Sequence, residues 1–159
     1  MTTAAAIAVA APLAVLITPS AATAESSSGT VLPFNQTYRR CDHGIVNALG
    51  PTAFGTPYGV MYTTGNRVVA DVQIAIARPH TRYDVRLIQM PRPSSAPCWG
   101  GDPGVAITAL TTDAAGVGAA TVQGDIAPGA TGAWVFISRP DPFSQHPAEF
   151  YTTDLVVEF

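Results

Sequence analysis

Lysine is absent from this chain: all eight of its basic residues are arginine. Charge of either sign is scarce, at 12% of residues with a formal net charge of −3. That balance offers no basic stripe for nucleic acid or for an anionic membrane surface, and neither is expected as a partner. No Gly-rich phosphate loop and no His or Cys pair at metal-ligand spacing is present, so no cofactor is expected. Ser94 and Ser95 lack the Gly-x-Ser-x-Gly elbow that exposes a nucleophile, and no two carboxylates are placed by spacing for acid/base work. An enzyme is therefore not the expected class. Long apolar runs are missing as well. The longest, Ala4 to Ile17, has 14 residues and is interrupted by Pro12, where a membrane-spanning helix needs about 20.

That run reads instead as an export signal. It is followed by Thr18-Pro19-Ser20 and by Ala22-Thr23-Ala24, a small-x-small cleavage pattern, with polar Glu25-Ser26-Ser27-Ser28-Gly29 behind it. Residues 1–24 are expected to be a signal peptide cut after Ala24, leaving a secreted protein. Met1-Thr2-Thr3 carries no basic residue, the one part of the pattern that is missing. Residues 25–33 then form a polar leader, and residues 34–159 are enough for one domain with its own core. An even pair of cysteines in an exported chain, Cys41 and Cys98, is expected to close one disulfide. Arginine as the sole basic residue type, in a chain rich in Ala, Gly, Pro and Thr, also points to the codons of a GC-rich bacterial genome.

Short alternating runs dominate the remainder. Arg67 to Ala77 is the clearest strand, with Val68, Ala70, Val72, Ile74 and Ile76 on one face and Asp71 and Gln73 on the other. Thr81 to Gln89 sets Tyr83, Val85 and Leu87 inward and Arg82, Asp84 and Arg86 outward; this Arg-Asp-Arg row could bind an anion, but a solvated face with opposite charges two apart is the preferred expectation. Shorter strands are expected over 35–41 and 59–63, and a closing strand from Glu149 to Phe159 with Leu155, Val157 and Phe159 on its inner face. Val105 to Ser138 reads as a β-meander of three strands, near 105–111, 117–123 and 133–138. Its first connection is a turn in which Asp113 can bond backbone two residues on and Gly116 can take positive φ. Residues 42–57, 90–104 and 139–148, crowded with Pro and Gly, are irregular loops. The expectation is an all-β, immunoglobulin-like antiparallel sandwich of about seven or eight strands with one disulfide. It is not an antibody-type domain: no Trp stands midway between the cysteines, and Ala96 rather than Tyr precedes the second by two positions.

The succession Tyr83-Asp84-Val85-Arg86-Leu87, Cys98, Leu110-Thr111-Thr112-Asp113-Ala114-Ala115-Gly116, Trp134-Val135 and Phe150-Tyr151-Thr152-Thr153 resembles small secreted bacterial β-sandwich proteins of no assigned activity. That resemblance implies fold and export. The Thr-Asp-x-x-Gly hairpin and the Ala/Gly/Thr-rich composition also resemble the enediyne antitumour-antibiotic apoproteins, which carry a chromophore in a sandwich cleft. Those have two disulfides, and this chain can form one.

If every connector simply reverses the chain, one end of the sandwich gathers His80, Asp113, Asp141 and His146. Imidazole and carboxylate are common metal ligands, yet at no motif spacing these four are expected to be turn residues. The other end carries Trp99 beside Cys98, on a loop stiffened by Pro91, Pro93 and Pro97, with Asp42 and His43 near it through the disulfide; Trp99, Pro91, Arg92 and Pro93 are the candidate binding residues of that loop. Trp99 is either a recognition anchor or a plug closing the core, and the plug is the preferred expectation. The functional expectation is a secreted, non-catalytic module that binds a protein or envelope component through its Pro-rich loops. The alternative is a small-molecule carrier with an apolar cleft between the sheets, and a metal-dependent or hydrolytic enzyme ranks third. Protein recovered from the medium should begin at Glu25 by intact mass and N-terminal sequencing; a cell-retained chain beginning at Met1 overturns the export reading.

Overall fold

Period-two alternation of apolar side chains builds this molecule, and the long strands fall close to where it predicts them, whereas the strand expected over 35–41 is reduced to Phe34–Asn35, with residues 36–41 irregular apart from an isolated bridge at Arg39. The computed structural model describes residues 28–47 and 53–159, so the expected signal peptide lies outside the described residues. Ten strands form: β1 (Thr30–Leu32), β2 (Phe34–Asn35), β3 (Thr56–Thr64), β4 (Arg67–Ala75), β5 (Arg82–Met90), β6 (Val105–Thr111), β7 (Gly118–Asp125), β8 (Gly132–Arg139), β9 (Glu149–Thr153) and β10 (Val157–Glu158). The excess over seven or eight comes from β1, β2 and β10, each of two or three residues. Two antiparallel sheets result, one ordered β1-β3-β4-β7 and a larger one ordered β2-β9-β8-β5-β6, with β10 also on β8. They face each other as a sandwich.

Between the sheets lies a continuous apolar cluster. β4 contributes Val68, Ala70, Val72 and Ile74, β5 contributes Tyr83, Val85 and Leu87, and β8 contributes Ala133, Val135 and Ile137. Leu32 joins them from β1, so the last residues of the expected leader are part of the sheet, paired with Gly59 to Met61 of β3. The alternation fails at two places. Ile76, expected inside, has φ of 58° and is 70% exposed, because the chain leaves the sheet at Ala75 to cross to the other layer. The closing strand is interrupted between β9 and β10, which leaves Leu155 and Phe159 exposed while Val157 stays buried.

The expected meander from Val105 to Ser138 is not a meander. β6 belongs to the larger sheet, β7 to the smaller and β8 to the larger again, so its two connections are arches between layers. The turn chemistry itself is as expected: Asp113 accepts from the amides of Ala115 and Val117 at 2.8 and 2.9 Å, and Gly116 takes φ of 74°. A Cβ on Gly116 would stand 2.1 Å from the Ala77 carbonyl oxygen, so glycine is required there by contact as well as by φ. Asp113 and Gly116 specify a reversal; they do not specify which sheet receives the next strand.

At this end of the sandwich Glu149 is buried, with its carboxylate 2.5 Å from Arg139 Nε and 3.4 Å from Arg78 Nε. Tyr83 donates to it at 3.2 Å, and the Tyr151 hydroxyl accepts from the Gly55 amide at 2.8 Å. Burial, reinforced by the Glu149 charge, raises both phenol pKa values above the usual range, which keeps them neutral.

The larger sheet has a second core on its outer face. Ile88, Trp134, Phe136 and Phe150 point away from the sandwich and are buried with Cys98, and Tyr38, Cys41, Met90, Val105 and Val156 pack against them. Cys41 and Cys98 are bonded, as expected, with Cα atoms 5.5 Å apart. The bond joins the 36–47 segment to the 90–104 loop and holds both over the outer face. Its 57-residue separation corresponds to about 4 kcal/mol in the chain-entropy view. The double variant Cys41→Ala/Cys98→Ala should lose about that much in denaturant unfolding, with near-ultraviolet circular dichroism of the Trp134 cluster weakened; an unchanged unfolding midpoint would contradict the clamp.

Candidate functional site

Three neighbouring strands supply the floor of the site through their outward side chains. On β5 these are Asp84 and Arg86; in register beside them stand Ser138 and Phe136 of β8, and Ile107 of β6 lies opposite Arg86. The upper part of this face is sealed by the disulfide layer. Its lower part is left open between the 90–104 loop and the 139–148 loop.

Arg86, expected on a solvated face, is only 6% exposed, because that face has a cover. Its guanidinium lies over the Phe136 ring at 4.3 Å and beneath the Trp99 ring at 5.1 Å. Nη1 donates to the Cys98 carbonyl at 2.9 Å. Among the described residues Arg86 forms no salt bridge: Asp84, on the same strand face, pairs instead with Arg82 at 3.0 Å. Burial is the main influence on Arg86 and lowers its pKa, opposed by the nearby Tyr38 and Asp84. Asp84 Oδ1 is buried and has no aligned hydrogen bond despite that ion pair, since proximity to Arg82 does not bring an N–H onto its lone pairs.

Trp99 is not a plug. It is 65% exposed, and local geometry accounts for it. Asp102 accepts from the Trp99 amide at 2.6 Å and returns a bond from its own amide to the Trp99 carbonyl at 3.1 Å, with Gly101 at φ of 96° closing the turn. This turn, tied to the core at Cys98, holds the indole outward above Arg86. The core position expected for Trp99 is filled by Trp134, which stacks with Phe136 at 6.0 Å and meets the His43 ring edge-on at 5.1 Å.

A cleft of about 260 Å³ opens between Trp99 and the 139–148 loop, with Asp84, Arg86, Ser138, Tyr38 and His146 among its lining residues. A second cleft, also about 260 Å³, lies on the other side of Trp99 and shares Tyr38 and Arg86 with the first. Arg39 and Arg40 line this second side; Arg39 pairs with Asp154 at 3.4 Å and Arg40 with Asp42 at 3.1 Å. The Arg40 hydrogen bonds and the Gly44 amide hold the Asp42 carboxyl below its usual range.

The four residues expected at one end separate into two pairs. The His80 amide donates to the Asp113 carbonyl in the arch after β6, whereas Asp141 and His146 line the cleft under Trp99. Among the described residues no three His, Cys, Asp or Glu side chains converge as metal ligands. The proline loop divides too. Pro91, Arg92 and Pro93 line a different cleft with Met90 and Ala127, and Arg92 donates to the Pro97 and Pro103 carbonyls, so it braces its own loop. His43 sits near the disulfide as expected, with Nε2 at 3.0 Å from the Thr153 carbonyl, an acceptor that makes this nitrogen the protonated one. Sequence reasoning missed Ser138 and Tyr38, and for Arg86 and Asp84 it preferred a solvated face over an anion-binding row. The available signal was β8 itself, in which Trp134 and Phe136 alternate with Val135 and Ile137, apolar on both faces. No protein-family model, curated protein or solved structure matches the chain.

Replacing Trp134 by Ala should cost about 3–5 kcal/mol, as large core truncations do, and replacing Trp99 by Ala about 0.5 kcal/mol or less, as at ordinary surface positions. Urea unfolding of the two variants checks this, and equal losses would return Trp99 to the core. His43 gives a pH dependence. Burial lowers its pKa in the folded chain, so stability is full above its unfolded value of about 6.5 and falls as pH drops through the folded value. Thermal melts across that interval should show the loss in the parent, and His43→Asn, which tolerates the positive φ of 64° at this position, should remove it.

Proposed function

We propose that this chain is an exported, non-catalytic binding module of immunoglobulin-like architecture, and that its ligand enters the cleft beneath Trp99. The observation that carries the reading is an exposed indole held over a buried guanidinium that has no carboxylate partner among the described residues. A fixed aromatic surface loses little entropy on contact, and residues on braced loops are where recognition concentrates. Trp99 lies above the floor, and Tyr38, Ile107 and the 139–148 loop line the opening. The volume suits a small molecule or one residue of a larger partner. The disulfide supports export, since such bonds persist in oxidising compartments. The likeness to small secreted bacterial sandwiches belongs to the same proposal.

The carrier reading placed its cleft between the sheets, where Tyr83, Val85, Val135 and Ile137 are instead buried in the core. What favours a small ligand is the cleft on the outer face. The test uses 15N-labelled protein, whose two tryptophans give two indole resonances, and a fragment library of aromatic acids, amides, amines and monosaccharides. Fragments that bind should shift the Trp99 indole and leave Trp134 in place, and Trp99→Ala should weaken them by about tenfold or more. Fragments that bind equally well to Trp99→Ala would move the site elsewhere.

A further inference from the structure

Among the described residues Arg86 is buried in this cleft with two ring faces and one carbonyl as its partners and no salt bridge, beside Asp84, whose Oδ1 also lacks an aligned hydrogen bond. A guanidinium has five N–H donors and keeps its charge at any working pH, so a buried one is normally met by a carboxylate. Here the side chain is almost wholly buried, and among the described residues its one hydrogen bond goes to the Cys98 carbonyl. The remaining donors meet no acceptor among the described residues, and the residue lines both clefts beside Trp99. The surrounding charges do not fill this role. Asp84 is engaged by Arg82, Arg39 by Asp154 and Arg40 by Asp42. Asp141 uses its carboxylate on the Phe143 amide at 2.8 Å, and His146, whose ring meets Tyr38 at 6.2 Å, supplies no anion.

Resting on the reading of the cleft as the binding site, we propose that the ligand is a small organic carboxylate with a flat apolar body. Its carboxylate lies against the free N–H edge of Arg86, and its body lies against the indole of Trp99, with Tyr38 and Ile107 at the cleft wall. A carboxylate accepts two parallel N–H bonds from a guanidinium and gains from a dry setting that a neutral group would not exploit. Asp84 does not repel it decisively, because Arg82 already offsets that charge.

Three isosteric probes decide the matter without altering the protein: trans-cinnamate, trans-cinnamamide and trans-cinnamylammonium, each titrated to millimolar concentration with the two indole resonances as readout. Cinnamate should bind about tenfold or more tightly than the amide, as expected for a charge-assisted bond, and the ammonium should bind most weakly. Arg86→Gln, which retains a donor toward the Cys98 carbonyl, should erase the preference for acid over amide while its melting curve reports whether the fold is intact. Trp99→Ala should weaken all three. Equal binding of acid and amide, both lost in Trp99→Ala, overturns the charge inference and leaves the cleft as the site. Tightest binding by the ammonium overturns it in favour of Asp84 and Asp141. Failure of every probe to move the Trp99 resonance overturns both the inference and the cleft.

Discussion

The bond between Cys41 and Cys98 is the constraint on which the outer half of this molecule depends. A two-sheet sandwich can leave its outer faces to water, and the smaller sheet does so with Asp71 and Gln73 of β4. The larger sheet cannot, because Trp134, Phe136, Phe150 and Ile88 all point outward from it. The two segments that cover them are short of regular structure and could not hold their place by backbone pairing. Cross-linking them to each other makes a third layer from chain that would otherwise remain irregular loop.

That layer explains the character of the site. It seals the upper part of the face and stops short of Asp84 and Ser138, so a dry core runs directly into an open cleft. Arg86 stands at the boundary, with its stem in the core, its guanidinium between Phe136 and Trp99, and one N–H on a carbonyl of the disulfide loop. A cation in such a position is stabilised by ring faces and a peptide dipole, weaker partners than a carboxylate. The same Asp102 turn that exposes Trp99 keeps the indole above it. The aromatic surface and the buried charge are therefore held by one short loop.

Much of the strand layout was legible because alternation is a local property. Val68 to Ile74 and Tyr83 to Leu87 could be assigned an inner face from spacing alone, and both runs are buried as expected. Errors arose where the deciding contact is distant in sequence. Ile76 continues the pattern but follows a chain that has already left the sheet, and Asp113-Gly116 specifies a turn whose two strands belong to different sheets. The Arg82, Asp84 and Arg86 row obeys the alternation and still does not share one environment, since the cover reaches Arg86 while Arg82 remains in solvent.

By itself the amino-acid sequence determined the all-β class, the inward faces of the long strands, the pairing of the cysteines and the tight turns, each a consequence of period, count or backbone freedom within a few residues. Only the tertiary structure decided that the Val105 to Ser138 stretch alternates between sheets, that Trp134 rather than Trp99 fills the core, and that Arg86, Trp99 and the 139–148 loop meet in one cleft. The physical reason is that burial belongs to a surface and its cover together. The strand specifies which side chains point outward, and the 36–47 and 90–104 segments, tied together by the disulfide, specify whether outward means water.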